Sequence, residues 1–220
     1  MRVTTPTRKR IGTFGAQLTS VDVGGDAVSL WQVEDLEAHV DRTALLAGTD
    51  PAEPPYWAHL WSGARVLAAA VPPGARRVIE IGCGLGLPGL VAARGGAAVV
   101  FVDHAAMPLA FVAESARANG VAAAGLVVGD FTTPPFRDPF DLVLAAEVVY
   151  DRVGFGRLAE ALAMLAGPCG RVLLADGHRI DTRAFYPALD AAGLTWQARA
   201  VRVVEDGIPV DVDLVEARRV

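Results

Sequence analysis

The stretch Val78-Ile-Glu-Ile-Gly82-Cys-Gly84-Leu-Gly86-Leu-Pro-Gly89 limits what this 220-residue chain can fold into more than any other. A short apolar strand runs directly into three alternate glycines, and a helix-forming segment follows. Glycine is needed there because the chain must turn sharply and let a bulky ligand lie against bare backbone. Gly84 to Gly89 also satisfy G-x-G-x-x-G, the dinucleotide fingerprint. Register separates the two readings. In a dinucleotide site the first glycine follows the strand and the third opens the helix onto a pyrophosphate. Here Gly82 follows the strand, and Leu87 stands five residues on. Glu80, at the strand end, would repel a pyrophosphate and suits a cation.

From Val78 onward, short apolar runs alternate with helix-like segments, the pattern of an open parallel sheet with helices on both faces. The strands are read at Val78–Ile81, Ala98–Val102, Gly125–Val128, Leu142–Ala146 and Arg171–Ala175, each near-continuously apolar as for burial on both faces. The helices are read at Leu87–Arg94, Ala105–Asn119 and Val153–Ala166, with Pro88 and Pro108 in first turns. A helix over Asp181–Ala192 precedes two strands, Leu194–Val204 and Val210–Arg218, joined at Glu205-Asp206-Gly207 as an antiparallel hairpin. Upstream, Gly24-Gly25-Asp26 joins strands Leu18–Val23 and Ala27–Trp31. Glu34–Leu46 reads as an amphipathic helix, and Ser62–Val71 as a helix capped by Ser62. The whole predicts a Rossmann-like three-layer α/β/α sandwich. Its seven-stranded sheet is mostly parallel, with a C-terminal antiparallel hairpin, and an N-terminal β-hairpin and helix cap is added. Residues 1–75 would form the cap and 76–220 the core.

Acidic residues recur at the carboxyl ends of these strands, where such sheets bind ligands. Asp103 ends the second strand about 20 residues past the loop, a position from which a carboxylate reaches both ribose hydroxyls. Asp130 ends the third and is placed to meet an adenine amino group while Phe131 covers the ring. Taken singly, each such acid could equally be a helix N-cap. S-adenosylmethionine, which carries an ammonium and a sulfonium, fits Glu80 and these acids better than NAD does.

The same residues resemble the class I S-adenosylmethionine-dependent methyltransferases, from Trp57 to near the end of the chain. Within them the similarity is to the seven-strand protein-lysine methyltransferase group, whose bacterial members include nicotinamide N-methylase-like proteins. It rests on E-I-G-C-G-L-G-L-P-G, on Ala145-Ala-Glu147-Val-Val-Tyr150 as a (D/E)-x-x-Y signature, and on Pro55-Tyr-Trp57-Ala-His-Leu-Trp61. The resemblance implies that Glu80, Gly82, Gly84 and Gly86 hold the methionine part, with Cys83 as a small residue among them. It implies Asp103 at the ribose, Asp130 at adenine and Trp61 lining the pocket. Glu147 and Tyr150 would face the acceptor amine as the catalytic pair, Glu147 also bordering the cofactor. Phe131 departs from the pattern, since many relatives carry Trp there. The implied activity is methyl transfer to a lysine side chain of a protein. A small-molecule amine or pyridine acceptor, or a non-catalytic cofactor-binding protein, are the alternatives. Glu53-Pro-Pro-Tyr56 imitates the loop of adenine and amide methyltransferases but follows a helix and turn instead of a buried strand.

Composition narrows the classes further. Net charge of -5 argues against a general nucleic-acid binder. No run approaches the 18 or so uninterrupted apolar residues of a membrane span. Cys83 and Cys169 have no ligand spacing, and His39, His59, His104 and His178 lie apart, so no metal site is expected. His59 and His178 are the two histidines with a route to the cleft. A reduced, cytoplasmic, bacterial monomer is expected, without membrane or nucleic-acid partners. Lys9 is the sole lysine among many arginines, as in a GC-rich genome.

Overall fold

The computed structural model describes residues 7–39, 55–205 and 207–219. Among the described residues, ten strands form two sheets. Strands β1 (Arg8–Ile11), β2 (Phe14–Val23) and β3 (Asp26–Val33) make an antiparallel meander. The second sheet has seven strands: β4 (Arg77–Ile81), β5 (Ala98–Asp103), β6 (Gly125–Val128), β7 (Leu142–Ala146), β8 (Arg171–Asp176), β9 (Leu194–Glu205) and β10 (Ile208–Arg219). Their order is β6-β5-β4-β7-β8-β10-β9. The first five are parallel, and β10 and β9 close the sheet antiparallel. This is the Rossmann-like, mostly parallel sheet with terminal hairpin that the sequence predicts.

Alternation along the central strands divides the core. In β4, Val78 faces one apolar cluster, while Ile79 and Ile81 face another. The first cluster contains buried residues of α1 (Ser62–Ala70), α2 (Leu87–Arg94) and α3 (Ala106–Ala118); the second contains those of α4 (Phe155–Ala166) and α5 (Phe185–Ala191). The expected near-continuous burial holds for β4 and β7. In β6, the edge strand, Leu126 and Val128 are instead exposed.

The meander packs on α3 and shares the first cluster through Ala16, Val28 and Leu30. Buried Ser115 accepts the Trp31 N–H on its hydroxyl at 2.9 Å. The Asn119 amide exchanges two hydrogen bonds with the Ser29 backbone. Such pairing satisfies backbone groups that burial would otherwise leave unmet.

Four expectations shift. Strand β1 was not anticipated, because Arg-Lys-Arg-Ile offers only Ile11 to the core. The helix expected from Asp181 begins at Phe185: Asp181 accepts the Arg183 N–H and pairs with its guanidinium, a local turn that competes with helix. Over Glu34–Leu46, a short 3-10 turn spans Leu36–His39, and residues 40–46 lie outside the described part. Ser62 does not cap α1; Trp61 is the N-cap residue and makes no side-chain capping bond. The first amides of α1 are met by distant carboxylates, which matters at the site. Among the described residues, no helix is long and apolar enough to cross a membrane.

Candidate active site

The strand order reverses between β4 and β7, and the crevice outside the carboxyl ends of such a pair is where open α/β sheets take ligands. A cleft of about 370 Å³ opens there, bordered by the glycine loop, Asp103, Phe131, Glu147, Tyr150, Trp61 and Arg179.

One side is built by the loop between β4 and α2. Gly82 and Gly84 have φ of 56° and 50°, a left-handed region that other residues enter at a cost. A Cβ on Gly82 would lie 2.7 Å from the Val148 side chain, and one on Gly84 3.0 Å from the Trp57 carbonyl oxygen. The loop is tied to β5 twice. Cys83 donates its N–H to the Val102 carbonyl at 3.0 Å, and Gly84 donates to Asp103 Oδ2 at 2.9 Å. Asp103 is thus both buried and a brace for the loop.

Glu80 is 2% exposed and accepts the Gly89 N–H of α2 at 2.8 Å. Burial pushes its carboxyl up to about 8, against that hydrogen bond and with some help from the Asp103 charge. Burial therefore favours the protonated form of this acid. Gly89 has no room for a side chain, since a Cβ would strike both Phe101 and Glu80. The third glycine of the dinucleotide-like spacing therefore serves strand–helix packing. Cys83 is buried beside the two acids, and burial first, then their charges, pushes its thiol well up, which disfavours the thiolate.

The other side is built by Glu147, just beyond β7. Its backbone is left-handed, φ 56°, and is pinned by the Glu147 N–H on the Ala175 carbonyl at 2.8 Å. Strained residues of this kind cluster at functional sites. Oε1 accepts the Gly63 N–H at 3.0 Å and Oε2 the Gly177 N–H at 3.2 Å, while Arg179 Nε lies 3.4 Å from Oε2. Burial raises the Glu147 carboxyl above its ordinary range despite Arg179 and the two amides. Glu205, at the end of β9, accepts the Ser62 N–H and pairs with Arg179 and His59. Burial pushes Glu205 up, but Arg179 and His59 outweigh it and hold the carboxyl below its usual range. Two carboxylates from remote strands therefore cap the positive end of α1, the role the sequence assigns to Ser62.

Trp61 stands between these groups. Its indole N–H reaches the Tyr56 carbonyl at 3.0 Å, its ring meets His59 edge-on, and the Arg179 guanidinium sits 4.4 Å from its centroid. Tyr150 is 58% exposed at the rim. Of the residues expected from the sequence, Trp61, Glu80, Gly82, Cys83, Gly84, Gly86, Asp103, Phe131, Glu147 and Tyr150 all border this cleft. Asp130 does not. It is exposed, and its carboxylate accepts the Thr132 N–H and hydroxyl at 2.8 and 2.7 Å, closing its own turn. The Thr132 bonds hold that carboxyl below the ordinary range. His59 borders the cleft, whereas His178 does not; its ring turns to Thr182 and Asp213. Arg179 and Glu205 escaped sequence reasoning, although Arg179 lies just past a strand end of the same sheet.

The arrangement fits a cationic, nucleoside-bearing ligand: a side-chain-free cradle, buried acids beside it and an aromatic wall at Phe131. Comparison with known proteins agrees. Residues 78–166 match a family model described as a methyltransferase domain. The chain is 38% identical over 87 residues to the histone-arginine methyltransferase METTL23 of Xenopus laevis, covering 36% of this chain and 37% of that protein. It is 32% identical over 112 residues to EEF1A lysine methyltransferase 3 of Mus musculus, covering 48% and 47%. The chain thus spans less than half the length of these curated relatives. A TehB-like SAM-dependent methyltransferase from Corynebacterium glutamicum superposes with a TM-score of 0.57 at 19% identity, over 84% of this chain and 98% of that one. The chain has the fold of the class I S-adenosylmethionine-dependent methyltransferases, and its stretch from β4 through α4 is similar to the methyltransferase-domain model.

Proposed function

We propose that this chain is an S-adenosylmethionine-dependent N-methyltransferase whose acceptor is a lysine side chain of a protein. The observation that carries the reading is Glu147: a buried carboxylate in strained backbone, fixed by two amides and facing an aromatic rim across from the glycine cradle. Glu80 and the loop from Gly82 to Gly86 would hold the methionine moiety, Asp103 the ribose, and Phe131 one face of the adenine. When bound, the cofactor supplies an electrophilic methyl group on sulfur. Asp130 is better read as a turn residue than as an adenine ligand.

In-line displacement demands alignment and a neutral nucleophile. A lysine ammonium, with a pKa near 10.4, must first lose a proton. A channel walled by Trp61 and Tyr150 disfavours its charge, and Glu147 orients the nitrogen and passes the proton toward water at the rim. The raised carboxyl of Glu147 makes it a better proton acceptor than an exposed glutamate. Both curated relatives named above are protein methyltransferases, which supports a protein acceptor over a small amine.

Calorimetry with S-adenosylhomocysteine and NAD tests the cofactor: heat is expected with the former alone. Tritiated methyl transfer into lysate tests the acceptor. Label in a discrete protein band, lost in Glu147→Gln, is expected; label confined to the small-molecule fraction rejects a protein substrate.

A further inference from the structure

Arg179 occupies a cation site between two buried carboxylates and an aromatic face. Its Nη2 lies 3.0 Å from Glu205 Oε2, its Nε 3.4 Å from Glu147 Oε2, and its guanidinium stacks 4.4 Å over Trp61. The two carboxylate side chains are only 6% and 14% exposed, and both are anchored on the first amides of α1. The Arg179 side chain itself is 35% exposed. Two buried anions and an aromatic face are what an alkylammonium seeks: charge pairing on two sides and a ring quadrupole on the third.

The backbone beneath Arg179 is fixed while its side chain is long. His178 has φ 55°, and its ring is held by Thr182 Oγ1 at 3.1 Å and Asp213 Oδ2 at 3.2 Å. Gly177 is fixed by its N–H on Glu147. The guanidinium can therefore swing out while the turn that carries it stays in place.

We propose that Arg179 is an internal stand-in for the acceptor's cation, a specificity-determining residue that an incoming alkylammonium must displace from Glu147, Glu205 and Trp61. This rests on the amine-methyltransferase reading and sharpens it. Neutral or anionic acceptors cannot take over the two carboxylates, so they leave the guanidinium across the channel. Recruitment of an acidic acceptor by Arg179 is the opposite use of the same residue. It is disfavoured because the guanidinium edge is already engaged by two anchored carboxylates and its face by Trp61.

The test is titration of the full-length chain with n-butylammonium, the head of a lysine side chain, and with neutral 1-butanol, with and without S-adenosylhomocysteine. Arg179→Met is expected to bind butylammonium about tenfold tighter than wild type, the scale of one ion pair plus one cation–π contact near a surface. Butanol affinity should not change, and Arg179→Lys, which restores the charge, should behave as wild type. Arg179→Gln gives the same comparison if the Met variant does not fold. Butylammonium binding that is unchanged or weaker in the neutral variants overturns the proposal, as does a butyrate affinity that wild type has and they lose. Absence of S-adenosylhomocysteine binding would reject the methyltransferase reading by itself, while the butylammonium comparison without nucleoside still judges Arg179.

Discussion

Glu147 Oε1 accepts the backbone N–H of Gly63 at 3.0 Å, so the acid beyond β7 and the first turn of α1 fix one another. A side chain at Gly63 displaces that carboxylate: a Cβ there would stand 2.4 Å from the oxygen and 2.9 Å from the carboxyl carbon. Gly63→Ala must therefore push the carboxylate aside. Misplacement of about an ångström costs roughly 10- to 100-fold in rate. Methyl-transfer kcat/KM is expected to fall by that factor. Alanine's better helix propensity, worth up to about 1 kcal/mol over glycine, offsets the clash in stability. Thermal melts near the wild-type midpoint, with S-adenosylhomocysteine affinity kept, would accompany the loss of turnover.

Glu80 makes stability depend on pH in an unusual direction. Its carboxyl is raised from 4.5 to about 8 in the folded chain, so the native state binds more protons than the unfolded state between those values. Stability of the ligand-free protein is therefore highest below the unfolded pKa and is lost as pH rises through the folded one. The full shift corresponds to roughly 5 kcal/mol, an upper figure because buried sites relax and admit water. Glu80→Gln removes the titration while its carbonyl still accepts the Gly89 N–H. Denaturant melts from pH 5 to 9 should show the variant flat where wild type declines. Cofactor affinity should weaken at least about tenfold, because a neutral amide no longer balances the methionine ammonium.

The core strands were legible because strands covered by helices on both faces carry near-continuous apolar runs; Ile79, Ile81, Val143 and Leu144 are all fully buried. Strand β1 was not, because Arg8, Lys9 and Arg10 carry no apolar alternation: they pair with β2 through the backbone, and Arg8 and Lys9 meet Glu34 and Glu114 through their side chains. The glycine loop and Asp103 were legible because a sharp turn restricts which residues can stand there. What stayed hidden depends on partners far apart in sequence. The first turn of α1 is capped by Glu147, 84 residues from Gly63, which no local pattern announces. At Asp130 the local pattern is two-sided: a strand-end acid followed by Phe131-Thr132 can meet a ligand or close its own turn through Thr132, as its carboxylate does in the structure. Arg179 was invisible because its meaning comes from Trp61 and Glu205 converging on it.

Asp103 separates loop bracing from ligand binding. Its Oδ2 takes the Gly84 N–H at 2.9 Å, and its Oδ1 faces the Ala105 N–H at 3.3 Å and His104 at 3.1 Å. Asp103→Asn keeps one acceptor for the loop but gives up the charge and one acceptor for a diol. Asp103→Ala gives up both. Adenosine affinity by calorimetry is expected to fall roughly 10-fold in the first and 100-fold in the second, one and two charge-assisted hydrogen bonds. Equal affinity in wild type and Asp103→Asn would remove the proposed ribose contact.

Asp141 gives the contrasting case, a carboxylate that serves the fold and not the cleft. It lies at the opposite edge of the sheet, where β7 begins beside the start of β4, and its Oδ2 accepts the N–H groups of Arg76 and Arg77 at 2.9 and 2.8 Å. Those two hydrogen bonds, Arg77's the stronger, hold the carboxyl below its ordinary range, with the arginine charges adding to them. A depressed acid stabilises the fold above its unfolded pKa, near 4, and that contribution is lost as pH falls through the lower folded value. The site is exposed, so solvent screens the charges and leaves about 1 kcal/mol for the pair of hydrogen bonds. Asp141→Ala should lower Tm by about 2–4 °C at pH 7. The difference from wild type should close as pH falls through the lowered folded value, where both proteins lack the carboxylate. S-adenosylhomocysteine affinity should be unchanged, because the amides that Asp141 holds lie at the far end of β4 from Glu80 and the glycine loop.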